Sequence, residues 1–212
     1  MQNTKITLLG ATGGLGQEIL KQGLKLGYSI DALVRTPSKV EPKHERLQVI
    51  QADVMKDSRD RLAEILTGSD AVVSSLGTGM NLGITKLYSE GTTNVVNAME
   101  QAQIPRLVAV SSSGTDPTTE EPWWYLWLVR RLLVNVYVDQ AKMEERIAST
   151  KNLQWVIVRP SQLTNGDKKQ YRVRLNHNPH SGYKISRADV ADFMLKQLKD
   201  DTYLSKFPAL AY

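Results

Sequence analysis

The chain has 212 residues, a length that suits one domain, and 41% of them are hydrophobic, enough to bury an ordinary core. It contains no cysteine, which excludes a disulfide framework, thiolate zinc or iron–sulfur ligation and a cysteine nucleophile, and which fits a reducing compartment. The formal charge of +5 comes from 27 basic and 22 acidic residues, and the densest basic stretch, 168–174, is too modest to predict a nucleic-acid surface.

Met1 leads almost directly into the first apolar run at Ile6, without the charged and then long apolar pattern of a secretory leader, so a cytoplasmic protein is expected. Apolar runs at 6–9, 29–34, 47–51, 71–74, 107–110 and 153–158 are rich in β-branched residues with little polar alternation, and predict strands. Helices are predicted near 14–26, 57–67, 85–102, 139–150 and 187–199. Strands apolar throughout, alternating with helices, imply an α/β fold: a doubly wound parallel sheet covered on both faces. One domain over 1–212 is expected, with about 160–185 left as a small substrate-side lobe.

Such sheets bind ligands beyond the carboxyl ends of their strands, and ligand-type residues follow each predicted strand. Gly10 follows the first, Arg35 the second, Asp53 the third and Leu76-Gly77-Thr78 the fourth. Ser111-Ser112-Ser113 follows the fifth and Pro160-Ser161 the sixth.

Between the first strand and the first helix lies Gly10-Ala11-Thr12-Gly13-Gly14-Leu15-Gly16. Gly10 permits the tight turn, Gly13 lets backbone approach a pyrophosphate, and Gly16 lets helix and strand pack closely. The helix N-terminus then offers free N–H groups to the phosphates. After the second strand an NAD site would carry an acid for the ribose hydroxyls; here stand Arg35 and then Thr36-Pro37-Ser38-Lys39. A cation at that point suits a 2′-phosphate, so NADP(H) is expected over NAD(H). Asp53 and Val54 would sit against the adenine.

The helix predicted at 139–150 carries Lys142, but Val138 stands four residues earlier and Tyr137 is rotated about a hundred degrees around the helix. The Tyr–Lys pair of a standard short-chain dehydrogenase is therefore missing, which counts against ketone, epimerase and dehydratase chemistry that needs its proton. Ser112 remains, as a hydroxyl that could hydrogen-bond a substrate or a nicotinamide-bound water or else as a turn serine or helix cap, and Lys142 as a candidate catalytic lysine or else a surface lysine of an amphipathic helix. Ser113, Trp123 and Trp124 are candidates for the substrate side. No metal site is expected, and His44, His177 and His180 read as surface residues.

The stretch Pro122-Trp123-Trp124-Tyr125-Leu126-Trp127-Leu128 holds three of the four tryptophans. It reads as packing, as an aromatic wall for a flat ligand, or as a surface for a protein partner or membrane face. The apolar segment 123–138 is shorter than the ~20 residues of a spanning helix and is interrupted by Arg130 and Arg131, so no transmembrane segment is expected. A monomer or weak oligomer is expected.

These residues resemble the atypical short-chain dehydrogenases with an NmrA-like core, most closely the flavin reductase (NADPH)/biliverdin-IXβ reductase family. The resemblance spans essentially the whole chain. It is carried by Ile6-Thr7-Leu8-Leu9-Gly10-Ala11-Thr12-Gly13, Leu33-Val34-Arg35, Leu76-Gly77-Thr78, Tyr88-Ser89-Glu90-Gly91-Thr92-Thr93-Asn94, Val108-Ala109-Val110-Ser111-Ser112 and Ile185-Ser186-Arg187-Ala188-Asp189-Val190. It implies that Thr12, Gly14 and Leu15 bind the pyrophosphate, and that Arg35 with Lys39 binds the 2′-phosphate. It also implies that Leu76, Gly77 and Thr78 line the ribose and nicotinamide, with Ser112 beside the hydride. Where the family commonly has His after the proline that ends the sixth strand, this chain has Ser161 after Pro160.

The expected activity is an NADPH-dependent reductase of flat, conjugated acceptors, FMN or a biliverdin-type tetrapyrrole, bound as substrate. Such acceptors delocalise the incoming charge and take their proton from solvent, so the protein chiefly aligns them. Two alternatives remain: a non-catalytic NADP(H)-sensing or assembly protein working through a partner, and a quinone or small-carbonyl reductase.

Overall fold

The computed structural model of the chain describes residues 4–79, 81–116 and 123–212, with the side chains of 123–130 outside that description. Strand β1 (Lys5–Leu9) leads into helix α1 (Gly14–Lys25), β2 (Ser29–Val34) and β3 (Leu47–Gln51). There follow α2 (Arg59–Leu66), β4 (Ala71–Ser74), α3 (Ser89–Gln101), β5 (Arg106–Val110), α4 (Trp123–Ala148) and β6 (Gln154–Pro160). The chain ends with β7 (Gln162–Thr164), β8 (Arg172–Leu175), β9 (Lys184–Ser186), α5 (Arg187–Lys196) and β10 (Pro208–Ala211).

Eight strands form one sheet in the order β3-β2-β1-β4-β5-β6-β10-β8, parallel throughout except for β8, which pairs antiparallel with β10. The order reverses between β1 and β4, the switch point at which a Rossmann sheet opens a crevice. Alternation along each strand divides the core into two. Ile6 and Leu8 of β1, Val108 and Val110 of β5, and Val156 and Val158 of β6 pack beneath α1 and α5. Leu9, Leu107, Ala109, Trp155 and Ile157 face the other way, beneath α2, α3 and α4. A sheet buried on both faces is why these strands are apolar without a break.

The six strands and five helices predicted from the sequence are present, with ends shifted by a few residues except in α4. That helix begins at Trp123, well before the predicted start at 139. No glycine or proline interrupts 123–148, but the first half is apolar on nearly all sides and so shows no helical period. Among the described residues no helix is long and apolar enough to cross a membrane.

Four short strands have no counterpart in the sequence reading. Pro208–Ala211 inserts as β10 between β6 and β8, so part of the segment 160–185 joins the main sheet edge while β7 and β9 form a separate parallel pair. Three or four residues carry too little pattern to be read alone.

Candidate functional site

A groove of about 510 Å³ runs across the carboxyl ends of β1 to β5. At its centre the β1–α1 loop depends on glycine for steric reasons. Gly10 has φ +78, and a Cβ there would meet the Ser75 carbonyl oxygen at 2.3 Å. A Cβ on Gly16 would meet the Gly10 carbonyl oxygen at 2.1 Å, so this glycine sets how closely α1 approaches β1. Gly13 caps α1 with no side-chain hydrogen bond, and no acidic residue lies in the first turn. Backbone donors and the positive dipole end therefore face the groove without an internal anion, which fits a pyrophosphate. Thr12, Gly13, Gly14 and Leu15 all line it.

Toward β2 and β3 the groove is lined by Arg35, Asp53 and Val54. The Asp53 carboxylate accepts from the Met55 N–H at 3.0 Å, and Asp57 accepts from the Asp53 N–H at 2.8 Å, so both acids serve this turn. Asn94 of α3 donates to the Val54 carbonyl at 2.8 Å and fixes the wall. An adjoining depression brings Arg35 together with Lys56 and Arg61, two cations the sequence reading missed because they lie in the next loop and helix. Lys39 instead borders a separate depression against α1, with Lys21, Lys25 and His44.

Beyond β4, Ser75, Leu76, Gly77 and Thr78 line the groove. Asp139 of α4 accepts from the Tyr88 N–H at 2.9 Å and from the Ser89 hydroxyl, capping α3. Tyr88, so held, accepts from the Thr78 N–H at 3.3 Å. The buried carboxylate thus supports the Leu76–Thr78 loop through two links.

At the far end Ser111 lines the groove and Ser112 does not. Ser112 caps the short 3₁₀ turn Ser113–Thr115, accepting from the Gly114 N–H at 3.2 Å, and Ser113 belongs to that turn. Ser111, buried, donates its hydroxyl to Glu144 at 2.6 Å. Glu144 is 5% exposed and also accepts from Thr115 at 3.0 Å and from Arg159 at 3.0 and 2.7 Å. The Arg159 guanidinium lies 4.4 Å from the centre of the Phe207 ring. A hydroxyl carries one proton, and here it is committed to a carboxylate, so Ser111 presents only acceptor lone pairs to the groove.

Of the α4 stripe Val136, Gln140 and Glu144, only Gln140 lines the groove; Glu144 reaches it through Ser111, and buried Val136 packs in the core beneath α2, α3 and α4. Lys142 is exposed, about two hundred degrees around the helix from Gln140. The ring of Tyr137 packs over Gly114, where a Cβ would meet it at 2.2 Å. Trp123 and Trp124 begin α4, but their side chains lie outside the described residues.

Pro160 ends β6 beside Leu210, and the buried Ser161 hydroxyl lies within hydrogen-bond distance of the Gly182 carbonyl at 3.0 Å and the Asn178 side chain at 3.1 Å. Ser161 thus anchors the 178–182 loop, and both residues lie off the groove lining. His177 pairs through Nδ1 with buried Asp116 at 2.7 Å, a link between the β5 and β8 connections invisible in sequence. Arg187, at the start of α5, completes the lining next to Gly14.

A family model described as NAD(P)H-binding matches residues 10–201 of this chain. The chain is similar to reductase pytE of Aspergillus terreus, at 24% identity over 98% of this chain and 97% of that protein. Among solved structures it resembles the oxidoreductase ylbE from Lactococcus lactis, with a TM-score of 0.83 and 22% identity over 98% of this chain and 90% of that one. It also resembles a short-chain dehydrogenase/reductase from Veillonella parvula in complex with NADP, with a TM-score of 0.80 and 20% identity over 99% of this chain and 94% of that one.

Proposed function

The chain belongs to the NAD(P)H-binding family, and from that membership we propose that it is an NADPH-dependent reductase passing hydride to a planar, conjugated acceptor of the FMN or biliverdin kind. One observation carries this reading. Gln140 is the α4 side chain that lines the groove, and Ser111 has its proton on Glu144. Neither is an acid ready to protonate a localised alkoxide.

When bound, the nicotinamide supplies a hydride that reduces the acceptor by two electrons, and water supplies the balancing proton. An acceptor that spreads the arriving charge over a conjugated system needs no protein acid, only alignment. Ser111, as an acceptor, suits an N–H donor such as a carboxamide or a protonated ring nitrogen. Preference for NADPH is supported by Arg35, Lys56 and Arg61 around one depression, where the two nearby acids are already engaged by backbone N–H groups.

The test is NADPH oxidation by the purified chain with FMN, and in parallel with biliverdin, against NADH and enzyme-free controls. Saturable turnover with NADPH favoured over NADH, and that preference lost in Arg35→Ala, is the expected result. Tight NADPH binding without turnover on any flat acceptor overturns the reductase reading and favours a sensor.

A further inference from the structure

Two positive ends meet beside Gly14 with no acid between them. One is the N-terminus of α1, whose cap makes no side-chain bond and whose first turn carries no acid. The other is Arg187, the first residue of α5. An ideal Cβ on Gly14 would lie 3.0 Å from both Cδ and Nε of Arg187, so the arginine lies directly across the first turn of α1. Glycine at 14 leaves room for the guanidinium as well as for a ligand.

Arg187 forms no ion pair with a carboxylate among the described residues; its Nη1 donates to the Asn165 side-chain oxygen at 2.8 Å. Asp189, two residues on, is turned inward, accepting from Ser186, Lys169 and Tyr212. A guanidinium fixed by a neutral partner and set against a helix N-terminus repels its surroundings until an anion arrives. The planar fork of arginine matches the oxygens of a diphosphate, so the two cationic ends can share one ligand.

We propose that Arg187 clamps the pyrophosphate of the bound dinucleotide against the α1 N-terminus, and that Asn165 aims it. This rests on the dinucleotide reading of the groove. It assigns a cation to the pyrophosphate from a position 173 residues beyond Gly14, distinct from Arg35 at the 2′-phosphate. Asn165 directly follows β7, whose Leu163 lines the same groove, so the clamp also ties the 162–165 segment to the bound cofactor.

The test is the affinity of wild type and Arg187→Gln for NADPH, NADH and adenosine 2′-monophosphate, by calorimetric titration. A charged hydrogen-bond partner lost from an anion site weakens binding about ten- to hundredfold. The expected pattern is that loss for NADPH and NADH alike, with adenosine 2′-monophosphate, which has no pyrophosphate, unchanged. Unaltered dinucleotide affinity overturns the proposal. So does equal weakening of all three ligands, which would mean general damage to the groove. Where the glutamine variant does not fold, Arg187→Lys keeps the stem beside Gly14 and is expected to show the same pattern at reduced size. Failure of the wild-type chain to bind any of the dinucleotides would instead remove the groove's assignment itself.

Discussion

The centre and the far end of the groove are built by opposite means. The centre is mostly backbone: a run of seven residues, 10–16, in which a Cβ added at Gly10 or Gly16 would come within 2.3 or 2.1 Å of a carbonyl oxygen and the first turn of α1 presents N–H groups. The far end is side chain: Ser111, Glu144 and Arg159, held together by charged hydrogen bonds across three separate elements. The first kind of site tolerates side-chain change so long as the chain can turn. The second fails when one group is removed, because the others are left buried and charged.

Glu144→Ala tests this most severely. It leaves Arg159 largely buried without its carboxylate, and the expected cost is about 3–5 kcal/mol. For a chain of this length that lowers Tm by roughly 6–20 °C. Arg35→Ala, toward β2 and away from this cluster, should leave Tm nearly unchanged while weakening NADPH binding. Similar melting temperatures for the two variants would abolish the contrast.

A smaller effect separates neighbouring serines. Ser111→Ala removes the hydroxyl that lines the groove and is expected to lower turnover with FMN about tenfold, the value of roughly one charge-assisted hydrogen bond. Ser112→Ala and Lys142→Ala remove groups that face a turn and solvent, and each should change turnover less than twofold. Equal losses from Ser111→Ala and Ser112→Ala would mean that the 3₁₀ turn, not the Ser111–Glu144 bond, shapes this end.

The same contrast explains what could be read from the sequence. Strands buried on both faces announce themselves as unbroken apolar runs, and Gly10, Gly13 and Gly16 act on one another within a single turn, so spacing alone locates them. Arg35 was visible because a strand end fixes where it points. Ser111 and Ser112 look alike in sequence, and only the alternation of β5 carried into the following turn decides which meets the groove. Gln140 and Glu144 were hidden because the apolar first half of α4 concealed the helical phase, which drew attention to Lys142. Lys56 and Arg61 reach the adjoining depression, and Arg187 the groove, through packing between elements, and β10 is too short to show a period. No local pattern encodes such contacts.

The weakest expected effect concerns the segment after β7 and its hold on α5. Asp192 of α5 holds Lys168 at 2.5 Å and Lys196 at 2.6 Å, and so fastens the segment that carries Asn165 onto the helix that carries Arg187. Partial burial pushes the Asp192 carboxyl upward, but the two hydrogen-bonded ammonium groups outweigh it and hold the carboxyl below its ordinary value. Because the folded pKa lies below the unfolded one, its stabilisation is complete above the ordinary aspartate range near pH ~3.9 and is lost as pH falls through the folded value. The pair is solvent-exposed on the lysine side, so Lys168→Ala should cost less than about 1 kcal/mol at neutral pH. Melting curves of wild type and variant from pH 8 downward should converge as Asp192 protonates. A gap that persists or widens in acid would mean that Lys168 acts through its packed stem, and that this segment is held to α5 by contact instead of charge.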